Sequence, residues 1–545
     1  MKHKSIYFIA FSSIAIFFSF LATTITVFAP EDRLNTTDNT PSSIPSSNSP
    51  ISEPKTDITL ATSNVIRHPA PTLQSTGHIT EVPYYLLANV NDPLFSLSWS
   101  HSSVQATRAW DASVGSSAIT VAVIDTGFTL NHEDLSSRWV INTGEYGLTQ
   151  QGDICWTGNP TDKASNNCDD DSNNYRDDWR GYDFYNNDNS PQAGQVNPSG
   201  DGTRHGSMVA GVIGAAANNG LGSTGIDQQA RIMPLQVFSD NAEAYTSDIV
   251  AAIDYATDNG ARIINLSLGT NIFDSVLLTA IQRARNNGVL VIAASGNCAL
   301  NDEPICTTLP TPGRMTYPAL YTESFAVGAT TSSGERASYS SYGSQLDIVA
   351  PGSNIGPLPL YASGGHINQY GYASGTSFSA PLVAGIASLL LAQNQDMTPR
   401  QLEYILTESA TKHSSMNNQI YTTTMGAGNV NAHKATLLSL ARSQDSILGS
   451  RDLSPSEQAH GALWRTNTNA VAADEWILVG CRVSSGAICS VTVTNGQVYR
   501  FTTANNVKGD ELQFIFIQGS QVPAGVWSIA VHNNEYGTNV TSLTK

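Results

Sequence analysis

Between residues 119 and 330, short runs of almost unbroken apolar residues alternate with longer stretches whose apolar residues recur at helical spacing. ITVAVIDTG (119–127), ARIMPLQVF (230–238), ARIINLSLG (261–269), GVLVIAASGN (288–297) and SFAVGAT (324–330) have strand length and end in glycine or polar turns. Between them, SDIVAAIDYATDNG (247–260) and SVLLTAIQRARNNG (275–288) carry one apolar face and stop at Asn-Gly, the ending that a left-handed glycine permits. A strand with no polar face has to be covered on both sides. Strand–helix–strand repetition supplies that cover, so the pattern predicts an α/β fold with a parallel sheet flanked by helices. In such sheets, sites gather outside the carboxyl ends of the strands.

The rest of the 545 residues divides around this core, since one hydrophobic core rarely grows past about 300 residues. Residues 1–29 have a basic start and a long apolar run ending in Val27-Phe28-Ala29. They read as a signal peptide or as an uncleaved N-terminal anchor, and either one places the bulk of the chain outside the cytoplasm, secreted or membrane-tethered. Residues 30–90 are rich in Pro, Ser and Thr and read as a linker. The α/β unit occupies 91–445. In 446–545, WILVGCRV, CSVTVTN, VYRFTTA, ELQFIFIQG and VWSIAVHN are short β-branched or aromatic runs between turns, the signature of a small all-β accessory domain.

The net charge of −18, from 27 basic and 45 acidic residues, argues against non-specific nucleic-acid binding. The six cysteines fall in three close pairs, Cys155 with Cys168, Cys298 with Cys306 and Cys481 with Cys489. Export and this clustering favour three local disulfides, and none has the CxxC spacing of a metal site.

Four residues in glycine-rich surroundings have the chemistry of an activated serine. Asp125 ends VAVIDTG, His205 opens the helical run of RHGSMVAGVIGAA, Ser377 lies in GTSFSAPLVAG, and Asn297 ends VLVIAASGN. A serine hydroxyl is a weak nucleophile until a base takes its proton, an acid can hold that base in tautomer, and an amide can donate to the resulting oxyanion. Singly, each has a plainer reading: a strand-end or capping aspartate, a core histidine, a helix-capping serine, a turn asparagine.

Taken in order, VAVIDTG, RHGSMVAG, NLSLG, AASGN and GTSFSAPLVAG resemble the subtilisin-like serine proteases across about 91–445. The order Asp-His-Ser separates this family from other triad hydrolases. HEDLS (132–136), Tyr317-Pro318 and ASYSSYGSQLDIVAPG (337–352) are further marks of the resemblance. It implies a subtilisin-like fold and a serine endopeptidase acting on protein or peptide substrates as a monomer. Asp125, His205 and Ser377 would form the triad, and Asn297 with the Ser377 amide would receive the oxyanion. Ser267, Leu268 and Gly269 would pair with an extended substrate, with Ala294, Ser295 and Gly296 as the opposite wall. The Tyr317-Pro318 bond would be cis. A prosegment that inhibits in cis is usual in the family, and here it would have to lie within the short, polar 30–90 span. The other reading of the same residues is a catalytically silent subtilisin fold used for binding or scaffolding.

Several positions depart from the family pattern. Arg204 precedes the histidine, Ser207 and Met208 replace the usual Thr and His, and Phe378 stands where many relatives have methionine. Arg204 is expected to point away to an acid. Ser207 keeps the hydroxyl, and a phenyl ring cannot become a sulfoxide. The staple at Cys298 would stiffen the loop beside the specificity pocket, where Asp302 and Glu303 would either favour a basic substrate side chain or form a solvated tip. The insert CWTGNPTDKASNNCDDDSNNYRDDWRGYDFYNNDNSPQ (155–192) is crowded with acids. It suits a structural calcium ion, which takes six to eight oxygens, and reads equally as a solvated acidic loop; no cofactor is required for the chemistry. Some relatives bind calcium at the position of Asp134 with a loop near Asn218 and Asn219, and NNGLGSTG differs from theirs.

Overall fold

The computed structural model describes residues 90–193 and 205–443, except 241, 301–303, 310–312, 363–365, 418 and 420. It also describes the backbone of strand Phe8–Ala10 and of strands between Ile447 and Thr544. The rest of the leader and linker, Arg204, Asp302, Glu303 and the Cys481–Cys489 pair lie outside the described residues.

Seven strands form one parallel sheet: β1 (Thr120–Asp125), β2 (Tyr182–Asp183), β3 (Arg231–Gln236), β4 (Ile263–Leu266), β5 (Leu290–Ala294), β6 (Phe325–Thr330) and β7 (Ile348–Pro351), in the order β2-β3-β1-β4-β5-β6-β7. All five apolar runs read from the sequence lie in it. Successive side chains of a strand point to opposite faces, and this divides the core in two. Val121 and Val123 of β1, Ile263 of β4 and Ile292 of β5 pack on one face with helices α1 (His205–Gly214) and α4 (Thr376–Gln393). Ala122, Ile124, Ile264 and Val291 pack on the other with α2 (Thr246–Asp258) and α3 (Ser275–Asn286). The parallel sheet flanked by helices is therefore present, with no polar face on its central strands.

Both Asn-Gly helix stops are realised, since Gly260 and Gly288 sit at φ +80° and +84° after α2 and α3. Other elements gave weaker signals. The two-residue β2, the strand β7, the hairpin β8 (Ile355–Ala362) with β9 (His366–Ala373), and helices α5 (Pro399–Glu408) and α6 (Ala432–Ser443) complete the unit. The bond between Tyr317 and Pro318 is cis, as the resemblance implied. Cys155–Cys168 and Cys298–Cys306 are disulfides.

Helix α4 is long and apolar enough to cross a membrane, yet it is buried from Thr376 to Leu391 and is the central core helix. Its thinness has a reason. A Cβ on Gly385 would stand 2.7 Å from Ile226 Cβ and 3.2 Å from the Ile213 carbonyl oxygen. Overpacking of this kind costs about 1–3 kcal/mol. Gly385→Val is therefore expected to lower the unfolding free energy by that amount, measured by urea unfolding in a Ser377→Ala background that prevents self-digestion.

Candidate functional site

Three neighbouring central strands, β1, β4 and β5, end at the same edge of the sheet. Asp125 is the last residue of β1, Ser267 follows β4, and Asn297 follows β5 by a short turn. Helices α1 and α4 begin above that edge with His205 and, at the second residue of α4, Ser377. The topology thus gathers residues far apart in sequence at the place where parallel sheets put their sites.

His205 Nδ1 lies 2.7 Å from Asp125 Oδ1, and both side chains are buried. The same oxygen accepts the Thr126 N–H at 2.7 Å. With Nδ1 donating to the carboxylate, Nε2 becomes the acceptor nitrogen of the ring. Close backbone approach sets the position of α1. A Cβ on Gly206 would lie 2.4 Å from the Gly127 carbonyl oxygen, and the Gly206 N–H donates to Thr126 Oγ1. Ser207 Oγ accepts the Thr129 N–H at 2.7 Å and donates to Thr129 Oγ1, so the serine in place of the usual threonine keeps the hydroxyl at work. Met208 is buried in the core.

The start of α4 is fixed from two sides. Gly375 precedes it at φ +153°, a region that a side chain disfavours. Phe378, next to Ser377, is buried with its ring 5.5 Å from the His205 ring. Pro381 sits inside the helix, five residues after its first residue, Thr376. Lacking an N–H, it cannot bond the carbonyl four residues back, which belongs to Ser377. Ser267 Oγ takes that role, donating to the Ser377 carbonyl oxygen at 2.8 Å while accepting from Asn265 Nδ2. Ser267, expected as a substrate contact, also supports the start of α4.

Asn297 is held by its acceptor end. Its Oδ1 receives both the N–H and the hydroxyl of Thr376 at 3.0 Å. Its Nδ2 is buried with no hydrogen-bond partner among the described residues. A buried amide donor left unpaired is costly unless something arrives to accept from it. Thr376 Oγ1 also accepts the Gly296 N–H, tying the wall Ala294-Ser295-Gly296 to α4. Sequence reasoning missed Thr376; its only signal was a hydroxyl residue directly before Ser377.

The short strand Leu268–Thr270 lies beside the site, and its Thr270 pairs with Tyr317 on one side. Its other edge takes an antiparallel strand, the backbone of Phe8–Ala10, with Ile9 opposite Gly269.

Asp134, where the resemblance implied a calcium position, and the neighbouring Asp92 are met by the fold's own donors. Asp134 accepts Asn219 Nδ2 at 2.8 Å and the Ser223 N–H, and Asp92 accepts the N–H groups of Asn218, Asn219 and Gly220. A different cluster is able to hold a metal ion. One oxygen from each of Glu145, Asp171 and Asp178 lies within 4.8 Å of the others. Glu145 and Asp178 are fully buried. Burial, with the neighbouring Asp178 and Asp171 charges, pushes Glu145 up to about 7. Burial, with Asp171, pushes Asp178 up to about 6.

Removing the Ser267 hydroxyl leaves the buried Ser377 carbonyl without its donor, a loss of about 1–3 kcal/mol. Ser267→Ala is accordingly expected to lower the unfolding free energy measured in urea by that amount while leaving near-UV circular dichroism native.

Residues 116–428 match the model of the subtilase family, Peptidase S8. Thermitase of Thermoactinomyces vulgaris is 32% identical over 349 residues, covering 63% of this chain and 98% of that protein. Subtilisin Savinase of Lederbergia lenta is 33% identical over 344 residues, covering 63% of this chain and 99% of that protein. A solved protease of Pseudoalteromonas arctica is 28% identical with a TM-score of 0.48, covering 65% of this chain and 100% of that one. The chain is a member of the subtilase family and a serine-type endopeptidase.

Proposed function

We propose that Ser377, His205, Asp125 and Asn297 carry the peptide-bond hydrolysis. Ser377 Oγ attacks the scissile carbonyl as its proton passes to His205 Nε2. Asp125 holds the ring in tautomer and stabilises its positive charge. The carbonyl oxygen, now an anion, receives hydrogen bonds from Asn297 Nδ2 and the Ser377 N–H. Collapse expels the amine, which takes the proton from His205 and leaves the acyl group as an ester on Ser377. Water then attacks that ester by the reverse relay, with His205 as base and Ser377 as leaving group.

The observation that carries this reading is Asn297, whose acceptor end is saturated and whose donor end is buried and unpaired. A fluorophosphonate probe is expected to label Ser377, and Ser377→Ala to abolish both labelling and proteolysis. Asn297→Ala is expected to lower kcat by about 10²–10³, a size known from a subtilisin rather than derived from this geometry, with KM nearly unchanged. Absence of labelling in the folded, mature enzyme would overturn the assignment and leave the scaffold reading.

Substrate is read as an added β-strand, whose main chain pairs with Ser267, Leu268 and Gly269 while Ala294, Ser295 and Gly296 form the facing wall. The pairing of Phe8–Ala10 with Leu268–Thr270 supports this, because it occupies the same edge in the antiparallel sense. Calcium serves a structural purpose, supported by the acidic cluster. Export through the 1–29 leader fits the two disulfides, which persist in oxidising compartments.

Residues 446–545 form an all-β domain that holds the enzyme at its substrate or at a surface. Its support is the pairing of strands between Ile447 and Thr544 into two four-stranded antiparallel sheets. A chain ending at 445 is expected to hydrolyse a short peptide at the parental rate while losing retention on insoluble protein or on cells. Loss of peptide hydrolysis itself would make the segment part of the catalytic unit instead.

A further inference from the structure

We propose that Glu145, Asp171 and Asp178 form a calcium site that clamps the acidic insert onto helix α2, which gives a place to the structural calcium read above and rests on that reading. Two oxygens bound at about 2.4 Å to one cation can stand at most about 4.8 Å apart. The three carboxylate oxygens meet that limit. All three donors are hard oxygens with no imidazole or thiolate among them, which selects calcium over the softer transition metals.

The cluster alone would be an acidic patch. What distinguishes it is Glu145 Oε2, an oxygen of a fully buried side chain with no hydrogen-bond partner among the described residues. The other oxygen of Glu145 is already taken, accepting the N–H groups of Asp170 and Asp171. No Lys or Arg forms an ion pair with any of the three among the described residues. A buried charge without partner or cation is strongly unfavourable, and here three carboxylates face each other.

The surrounding side chains arrange the carboxylates and do not neutralise them. Asn142 Nδ2 donates to Asp171 Oδ2 at 2.8 Å and to Asp178 Oδ1 at 3.1 Å. Asn173 Nδ2 donates to Asp178 Oδ2 at 2.9 Å. Tyr255 of α2 gives its hydroxyl proton to Asp178 Oδ2, so a cation on Asp178 is coupled directly to a helix of the catalytic sheet. Gly144 is packed so closely that a Cβ there would stand 2.5 Å from Asp171 Cβ. The disulfide Cys155–Cys168 ends two residues before Asp170 and restrains the same loop. Glu145 lies outside the acid-rich stretch 155–192, and only the fold brings it to Asp171 and Asp178.

The test uses the full chain carrying Ser377→Ala, stripped of metal with a chelator. Calcium binding is measured by isothermal titration, and terbium, a calcium substitute, is followed by its emission sensitised through Tyr255 and Trp179. Added calcium should raise Tm and quench the terbium signal by displacement. Glu145→Gln and Asp178→Asn should each weaken calcium binding at least tenfold and reduce the stoichiometry by one, while the metal-free Tm stays equal or rises because a buried charge has gone. Asp171→Asn, at the more exposed ligand, gives the same readout should a buried substitution fail to fold. Unchanged calcium affinity and stoichiometry in folded Glu145→Gln would overturn the site while leaving calcium bound elsewhere. No calcium binding by the parent chain would overturn the structural calcium reading as well.

Discussion

Everything at the site depends on one helix that has no polar side. Helix α4 is buried along nearly its whole length, so packing at interior density, with a few buried hydrogen bonds such as Ser388 to Asp227, fixes its position to fractions of an ångström. Small residues set how near it comes to its neighbours, with Gly385 against Ile213 and Ile226 and Gly211 of α1 against Pro359. Because α1 and α4 share this core face, the spacing of their first turns, and with it the relation of His205 to Ser377, follows from core packing far from the chemistry.

The polar groups obey a complementary rule. Each has one side committed to the fold, which orients the side assigned to substrate in the proposed mechanism. His205 commits Nδ1 to Asp125, Asn297 commits Oδ1 to Thr376, and the Ser377 carbonyl is committed to Ser267. Donors oriented before substrate arrives need no reorganisation when charge develops, which is why such groups contribute so much in a site sheltered from water. Pro381 shows the cost of this arrangement and its remedy: the proline breaks one helical bond and Ser267 replaces it.

The sheet and the pairing of Asp125 with His205 were legible in the sequence because their signals are strong and local. Strands buried on both faces are written as apolar runs, helix ends as Asn-Gly, and Asp125 and Asn297 sit where strand runs stop while His205 and Ser377 sit where helical runs begin. The departures from that reading share a cause, which is dependence on contacts distant in sequence. The hairpin β8–β9 carries Pro357 and Pro359, so its residues do not read as strand. The supporting role of Ser267 depends on a carbonyl 110 residues away, and that of Thr376 on an asparagine 79 residues away. Glu145 stands in the unremarkable stretch INTGEYG, and only tertiary structure brings it to Asp171 and Asp178.

The same logic bears on what the cleft selects. An edge strand that bonds the main chain of its guest is indifferent to the guest's side chains, so discrimination has to come from the walls. Phe8–Ala10 fits the first half, since this segment pairs with Leu268–Thr270 as an antiparallel strand. The wall opposite is closed in a different way. Gly296 stands at φ +109°, and a Cβ there would come within 3.0 Å of Ser341 Oγ and 3.1 Å of Thr316. Any side chain at 296 would strain the backbone and press on Ser341 and Thr316, displacing the wall itself. The shape of this wall is thus carried by backbone packed against Ser295, Thr316 and Ser341, with the Cys298–Cys306 staple directly after Asn297. On the proposed reading of 294–296 as the substrate wall, changes of specificity are therefore easier to reach through residues around it than through the wall itself.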